Sequence, residues 1–324
     1  MKSPITLAMP ALFLALPATA QDVTLTLYTS QPNADAQQTV DAFLAGNPDI
    51  AVEFVRDGTT QIMARLLTEI EAGQAQPDVL LIADNVTMES MEAEGHLLAY
   101  PEADVSAYPE GLHDDERHYF STKLITTGLI RNTSAPMELT SWMDLTSEMA
   151  RGQVAMPSPL TSGAALINYA TLRGVDGLGR DYFEALAAND ALAQGGNGGV
   201  FRAVAGGEKM YGIVVDFLPI REAAAGSPVE FVFPEEGVSA VTEPVAIMAS
   251  TDAPDAAKRF VDFLLSMEGQ ELAASQGYLP AHPDVTPPPG FPPQSEITVL
   301  GYDAAEVLRM QEDLKVEFAD TFGQ

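Results

Sequence analysis

The sequence predicts an α/β protein built as two lobes, each an open mixed sheet flanked by helices. Two patterns carry that expectation. Strand–polar loop–helix units follow one another three times near the start, and the same rhythm resumes after an interruption between about Tyr100 and Asn132. Length agrees, since about 300 residues follow an export-type leader, enough for two domains with cores of their own.

The leader is residues 1–20. Lys2 supplies a positive start, Ala8 to Leu16 is a short apolar core, and Ala18-Thr19-Ala20 forms a small-residue cleavage site before Gln21. The apolar run falls short of the roughly 20 residues that span a bilayer. The chain has no cysteine, so no lipid anchor, disulfide framework or thiolate chemistry is expected. The expected location is the periplasm.

Val23 to Tyr28 alternates as a strand does and enters the polar loop Thr29-Ser30-Gln31-Pro32-Asn33. A helix follows with Val40, Phe43 and Leu44 on its apolar side, stopping at Gly46-Asn47-Pro48. Ile50 to Val55 is a second strand, and Asp57-Gly58-Thr59-Thr60 opens a helix with Ile62, Met63, Leu66, Leu67 and Ile70 in one stripe. Val79 to Ile82 is a continuous apolar run, as in a parallel strand buried on both faces, and Asp84-Asn85 starts the next helix.

Tyr100 to Asn132 is strand-rich and is read as the passage into the second lobe. There the pattern predicts a helix near Ser141 to Met149 and a strand at Gln153 to Met156. A Ser/Pro/Thr/Gly turn then leads into a helix from Ser162. Helices at Tyr182–Ala188 and Val200–Ala205 and strands at Tyr211–Val215, Val229–Phe233 and Pro244–Ser250 follow. Helices at Pro254–Ser266 and Glu268–Gln276, a proline-stiffened connector at 287–293 and a last helix at Ala304–Phe318 complete the chain. No repeat of solenoid period is present.

Charge is lopsided: 46 acidic residues against 16 basic, a net charge of −30. Nucleic acid and anionic lipid are poor partners for such a chain, because both require phosphates to be neutralised by Lys and Arg. Ligands of open α/β sheets sit beyond the carboxyl ends of the strands, where every polar loop above falls. Two lobes offering such loops enclose a ligand by hinge closure.

Several stretches in this order resemble a known family. They are the leader, Tyr28-Thr29-Ser30, Pro77-Asp78-Val79-Leu80, Ser158-Pro159-Leu160-Thr161-Ser162-Gly163, Tyr211 to Phe217, and Glu268-Gly269-Gln270 with Gly277-Tyr278-Leu279-Pro280. Together they resemble the type II periplasmic solute-binding proteins of ABC importers, in the cluster of ferric-ion, phosphonate, organophosphate and thiamine binders. The resemblance covers essentially the whole mature chain. It implies the type II periplasmic binding fold, a monomer working with membrane permease subunits, and two crossing hinge strands near Leu98 to Ala103 and Phe231 to Val241. The lobes implied are 21–102 with 237–283, and 103–236 with 284–324.

Ferric binders in that cluster resemble one another in a vicinal Tyr-Tyr pair after the second-lobe strand, where this chain has Asp216-Phe217-Leu218. A His of their first loop is replaced here by Ser30-Gln31-Pro32, and a Glu of their next loop by Thr59-Thr60. Iron is therefore the alternative, and the phosphonate and organophosphate branch is the better match through Val215-Asp216-Phe217. Phosphonates suit helix starts, which offer free N–H groups and the positive end of the helix dipole.

The expected cradle is Ser158, Thr161, Ser162 and Gly163, with Thr29, Ser30, Thr59 and Thr60 from the opposite lobe and Asn85 and Tyr211 beside them. Asp84 and Asp216 are assigned to an ammonium on a zwitterionic solute such as 2-aminoethylphosphonate. Ser162 and Asp84 read equally well as helix caps, and Asp216 as a turn residue. Gly195 to Gly199 lacks the Lys-Ser/Thr ending of a nucleotide loop and is read as an approach to the next helix that lends backbone N–H groups. His96, His113, His118 and His282 show no metal-ligand spacing. No cofactor or metal is expected. Neither a nucleophile elbow nor a histidine near the Ser/Thr loops is present, which disfavours the third reading, an exported hydrolase.

Overall fold

Period-2 alternation of apolar residues builds the first sheet half. In β1 (Val23–Thr29) Leu25 and Leu27 enter one core, while Tyr28 enters a second core on the opposite face. The computed structural model describes residues 23–109, 111–293 and 296–324, so the leader lies outside the described residues. After β1 come α1 (Asn33–Gly46), β2 (Ile50–Arg56), α2 (Thr59–Glu71), β3 (Val79–Leu81), α3 (Asn85–Ala93) and β4 (Leu97–Leu98). The chain continues through β5 (Tyr119–Asn132), β6 (Val154–Met156), α4 (Gly163–Arg173), α5 (Gly179–Ala188), β7 (Leu192–Ala193), α6 (Asn197–Ala205), β8 (Tyr211–Val215) and α7 (Phe217–Ala224). It ends with β9 (Val229–Val232), β10 (Ser239–Met248), α8 (Pro254–Leu265), α9 (Met267–Ser275), β11 (Leu279–Pro280) and α10 (Ala304–Phe322).

The sheet order is β2-β1-β3-β10-β5-β8-β6-β7, with β4 added to β10 and β9 and β11 to β5. At one end β1 runs parallel to β2 and β3; at the other β6 runs parallel to β7 and β8. Between them β5 and β10 pair antiparallel over Thr127↔Ser239 to Tyr119↔Ala246. These two strands belong to both lobes. Phe120 and Tyr119 enter the first-lobe cores, whereas Ile125, Leu129 and Ile130 enter those of the second. On β10, Val241 joins the second-lobe core and Val245 to Met248 those of the first.

The hinge therefore lies within β5 and β10, and their register shifts between Thr242 and Pro244. This corrects the hinge expected at Leu98 to Ala103. Leu97–Leu98 pairs with the far end of β10, and Ala103, Val105 and Tyr108 pack in a first-lobe core. The broken rhythm after Tyr100 marks a loop wrapped around the first lobe, not a passage out of it, so the expected boundary at 102/103 falls too early. The expected strand start at Pro244 is corrected to Ser239. Proline lacks an N–H and punctuates strand patterns, yet here it sits at the bulge, where a ladder bond is already lost. The helix expected at Ser141–Met149 is two short 3₁₀ turns, Trp142–Thr146 and Glu148–Ala150, with Trp142 buried and its Nε1 donating to Gly237 O at 2.9 Å.

Phe43 of α1 is fully buried and meets Phe260 of α8 edge-on at 5.0 Å between ring centres. Truncating a buried ring loses its transfer energy and leaves a cavity. Phe43→Ala should cost about 3–5 kcal/mol, read as a lower urea midpoint.

Candidate functional site

The carboxyl ends of the parallel strands of both lobes face one another. From the first lobe come Ser30 after β1, Arg56 at the end of β2 with Asp57 and Gly58 beyond it, and Ala83 after β3. From the second come Thr161 and Ser162 after β6, Gly195 and Gly196 after β7, and Phe217 after β8. They line a cleft of about 770 Å³, whose deeper wall includes Ile125 and Glu243 from the crossing strands and Tyr278. The lobes touch across it. A Cβ on Gly58 would lie 2.3 Å from Thr161 O, and one on Gly163 would lie 2.8 Å from Ala83 O. Asp35 of α1 pairs with Arg221 of α7 at 3.0 Å and accepts the Tyr278 hydroxyl at 2.6 Å.

Helices α1, α2 and α6 begin without a side-chain cap, and their opening residues, Asn33, Thr59 and Asn197 to Gly199, all line this cleft. Their first N–H groups lack the i−4 acceptor of a helix interior, although Gly199 N of α6 reaches Gly196 O at 2.9 Å. The rest are open to water or a bound molecule. Two cations join them. Arg56, Arg117, Arg202 and Lys209 are the Lys and Arg side chains outside any ion pair among the described residues. Arg56 and Arg202 of that set line the cleft. Arg56 is steadied by its Nε donating to Gln31 O at 2.8 Å. The carboxylates at the cleft are largely engaged: Asp57 accepts from Gly58 N at 2.7 Å, Glu222 lies 3.5 Å from Arg221, and Glu243 lies 2.7 Å from Lys123.

Of the residues singled out in the sequence, Ser30, Thr59, Thr161 and Ser162 lie in the cleft wall. Ser30 Oγ accepts from Ala83 N at 2.9 Å, which leaves its hydroxyl proton free for a solute. Ser162 caps α4 through Ala165 N at 3.3 Å and also receives Asn197 Nδ2 at 3.3 Å, so capping and lining coincide. Gly163 is one of two points of tight approach between the lobes, with Gly58, and the space there excludes a side chain. Thr60 points its hydroxyl across the lobes at Pro159 O, at 3.5 Å.

The other candidates are not in the wall. Thr29 is buried and accepts from Gln31 N at 3.1 Å. Ser158 donates to Gln324 Oε1 at 2.9 Å, Asn85 accepts from the Tyr302 hydroxyl at 2.9 Å, and Tyr211 is buried, accepting from Met137 N at 3.1 Å. Asp84 caps α3 through the N–H and hydroxyl of Thr87. Asp216 is fully buried and accepts from Thr126 N at 2.9 Å, Thr126 Oγ1 at 2.7 Å and Phe217 N at 2.7 Å. The ammonium role assigned to these two acids is corrected: their oxygens are taken up by backbone and hydroxyl donors of their own lobes.

Arg56, Arg202, Gln61, Asn197 and Glu243 went unanticipated. Arg56 follows directly on a strand end and Arg202 lies one helical turn beyond the glycine run, and both signals are legible in a chain with so few cations. Tyr278, the one tyrosine in the cleft wall, is a poor ferric ligand. Burial pushes its hydroxyl well above the ordinary value, and the proton is held toward Asp35. His118 lies outside the cleft, 3.2 Å from both Glu92 and Asp114; with Glu92 and Glu116 it brings possible metal-ligand atoms together, a proximity that sequence spacing hid.

Two outcomes follow from this geometry. Gly58→Ala should hold the lobes apart, seen as a larger radius of gyration by solution scattering at unchanged circular dichroism. Burial pushes the Asp216 carboxyl from 3.8 up to about 7, against the pull of its hydrogen bonds. A raised acid stabilises the fold fully below its unfolded value near 4, and that contribution fades as pH rises through about 7. The loss is roughly 4 kcal/mol, so Asp216→Asn should flatten the decline in stability between pH 4 and 8 in denaturant titrations.

The comparisons agree with this architecture. Residues 75–307, well over half of the chain, match the family model described as bacterial extracellular solute-binding protein. A Haemophilus influenzae protein of uncharacterised function is 29% identical over 270 residues, covering 78% of this chain and 76% of its own. A probable ABC transporter periplasmic-binding protein of Sinorhizobium fredii is 25% identical over 291 residues, covering 83% and 77%. Among solved structures, the periplasmic binding protein AfuA from Actinobacillus pleuropneumoniae, with fructose-6-phosphate bound, is 22% identical. It gives a TM-score of 0.84 over 93% of this chain and 99% of its own. Iron-bound HitA from Pseudomonas aeruginosa is 21% identical, with a TM-score of 0.77 over 91% and 99%. By its sheet, its interlobe cleft and the extent of the family match, the chain belongs to the bacterial extracellular solute-binding protein family, a binder and not an enzyme.

Proposed function

We propose that this protein captures a small oxyanion solute, a phosphonate or phosphate ester, in the periplasm and hands it to the permease subunits of an ABC importer. One observation carries the reading: three uncapped helix starts and two arginines free of carboxylates line the same interlobe cleft. An oxyanion satisfies all of these donors at once, through charge-assisted bonds that are stronger than neutral ones. The pairing of Asp84 and Asp216 within their own lobes removes the support for an obligatory ammonium. The fructose-6-phosphate bound in the AfuA structure fits the same chemistry.

Closure follows from the placement of donors on both lobes. Arg56 and the α2 start belong to the first lobe, Arg202 and the α6 start to the second, so a solute that binds both favours the closed arrangement. The crossing strands bend while each lobe keeps its core.

Arg56→Ala and Arg202→Ala should each weaken binding of a phosphate ester about 10- to 100-fold, the worth of one hydrogen bond to a charged group. Isothermal titration of parent and variants reads this directly. Unchanged affinity in both variants would remove the oxyanion reading, and a visible absorption band on loading with ferric citrate would favour iron in its place.

A further inference from the structure

The donors at the cleft suit the anionic head of a solute, and the second-lobe wall beside them is of another kind. Phe201 of α6 precedes Arg202, and Leu218 is the second residue of α7. Both line the cleft and both are only partly buried, packed against the cluster that holds Ile130, Val200 and Val214. The same wall continues with Ile125, Val215 and the ring pair Phe217–Tyr278, 4.2 Å between centres. Water on such a face is held at a cost in free energy, and a solute with an apolar surface releases it.

The hydrogen-bond acceptors point the same way. A polyol brings one donor with each hydroxyl, and a donor buried without an acceptor is penalised. Side-chain acceptors near this face are already engaged. Asn197 Oδ1 accepts from Val215 N at 3.1 Å, and Ser162 Oγ accepts from Ala165 N and from Asn197 Nδ2, each at 3.3 Å. Glu243 is paired with Lys123 at 2.7 Å. What the face offers is carbon.

We infer that the solute is a phosphate ester with an aromatic body, which rests on Phe201 and Leu218 while Arg202 and the α6 start hold the phosphate. This rests on the oxyanion reading above and narrows it. Ring against ring adds to the gain from area alone. Because Phe201 and Arg202 follow one another on α6 and both line the cleft, the two subsites lie side by side.

Isothermal titration with phenyl phosphate, fructose 6-phosphate and methyl phosphate tests it, since the head is the same and only the body changes. The parent should bind phenyl phosphate at least about 10-fold more tightly than either other ester, the effect of drying about 55 Å² of apolar surface. Phe201→Ala and Leu218→Ala should each remove much of that margin and leave methyl phosphate within about twofold, a selective loss that a general disturbance of the cleft would not give. Phe201→Leu keeps an apolar side chain and should retain part of the margin. Should one alanine variant fail to fold, the other decides. Equal affinity for the three esters, a preference for fructose 6-phosphate, or equal losses on all three in the variants overturns the inference and leaves the oxyanion reading standing. A parent that binds none of the three overturns both.

Discussion

The proposed oxyanion site, in a chain of net charge −30, would depend on carboxylates at the cleft being engaged by other partners, because the overall field works against it. At physiological salt, charges beyond about 8 Å are largely screened, so the groups that matter are those at the cleft wall. There the protein departs from its usual habit. Elsewhere most of its cations are taken up in ion pairs, such as Arg259 with Asp49 and Arg173 with Glu317, Arg117 and Lys209 excepted. At the cleft Arg56 and Arg202 are left without such partners, and three helices are left without side-chain caps. Capping does not by itself separate cleft from surface, since α5 and α8 away from the cleft also lack side-chain caps while α4 at the cleft is capped by Ser162. What sets the cleft apart is that three uncapped starts and two unpaired arginines meet in one place.

The same wall solves a second problem through the crossing strands. Lys123 lies on β5 and Glu243 on β10, where both strands pass from one lobe to the other. Breaking such a buried pair leaves an uncompensated charge and costs several kcal/mol, so the pair ties the strands together where the ladder is interrupted by the bulge. Nearby, Asp35 links α1 to Arg221 of the other lobe and to Tyr278. Polar contacts thus join the lobes here alongside apolar ones, such as Phe217 against Tyr278 at 4.2 Å and Val86 of α3 in the second-lobe core. The ionic part suits a joint that opens, since separated ions regain water.

How much of this was legible in the sequence follows from range. The parallel strands announce themselves locally, by apolar runs such as Val79 to Ile82 and by polar loops after them. Because ligand loops follow strand ends, Ser30, Thr59, Thr161 and Ser162 could be named before any coordinates. Asp84 and Asp216 were misassigned because an acid before a helix looks alike whether it caps or binds, and only its partners, Thr87 or Thr126, tell the two apart. Glu243 was invisible for the opposite reason. It sits between Thr242 and Pro244, at a strand irregularity that falls between the hinge strand expected to end at Val241 and the strand expected from Pro244, and its meaning depends on Lys123, distant in sequence. The two expected strands are one, β10.

The distribution of donors also explains why closure and recognition are one event. Were all of the unsatisfied N–H groups on one lobe, a solute would bind the open form as well as the closed one and shift nothing, because only differential affinity moves a conformational equilibrium. With α1 and α2 starting on one side and α6 on the other, an oxyanion bound to the open form leaves half of its acceptors to water. Closing exchanges those waters for protein donors and brings Gly58 against Thr161 and Gly163 against Ala83, contacts close enough that any side chain would obstruct them. The glycines thus belong to the recognition device as fully as the arginines do: they set how near the two donor sets can come, and so which solutes are small enough to be held by both.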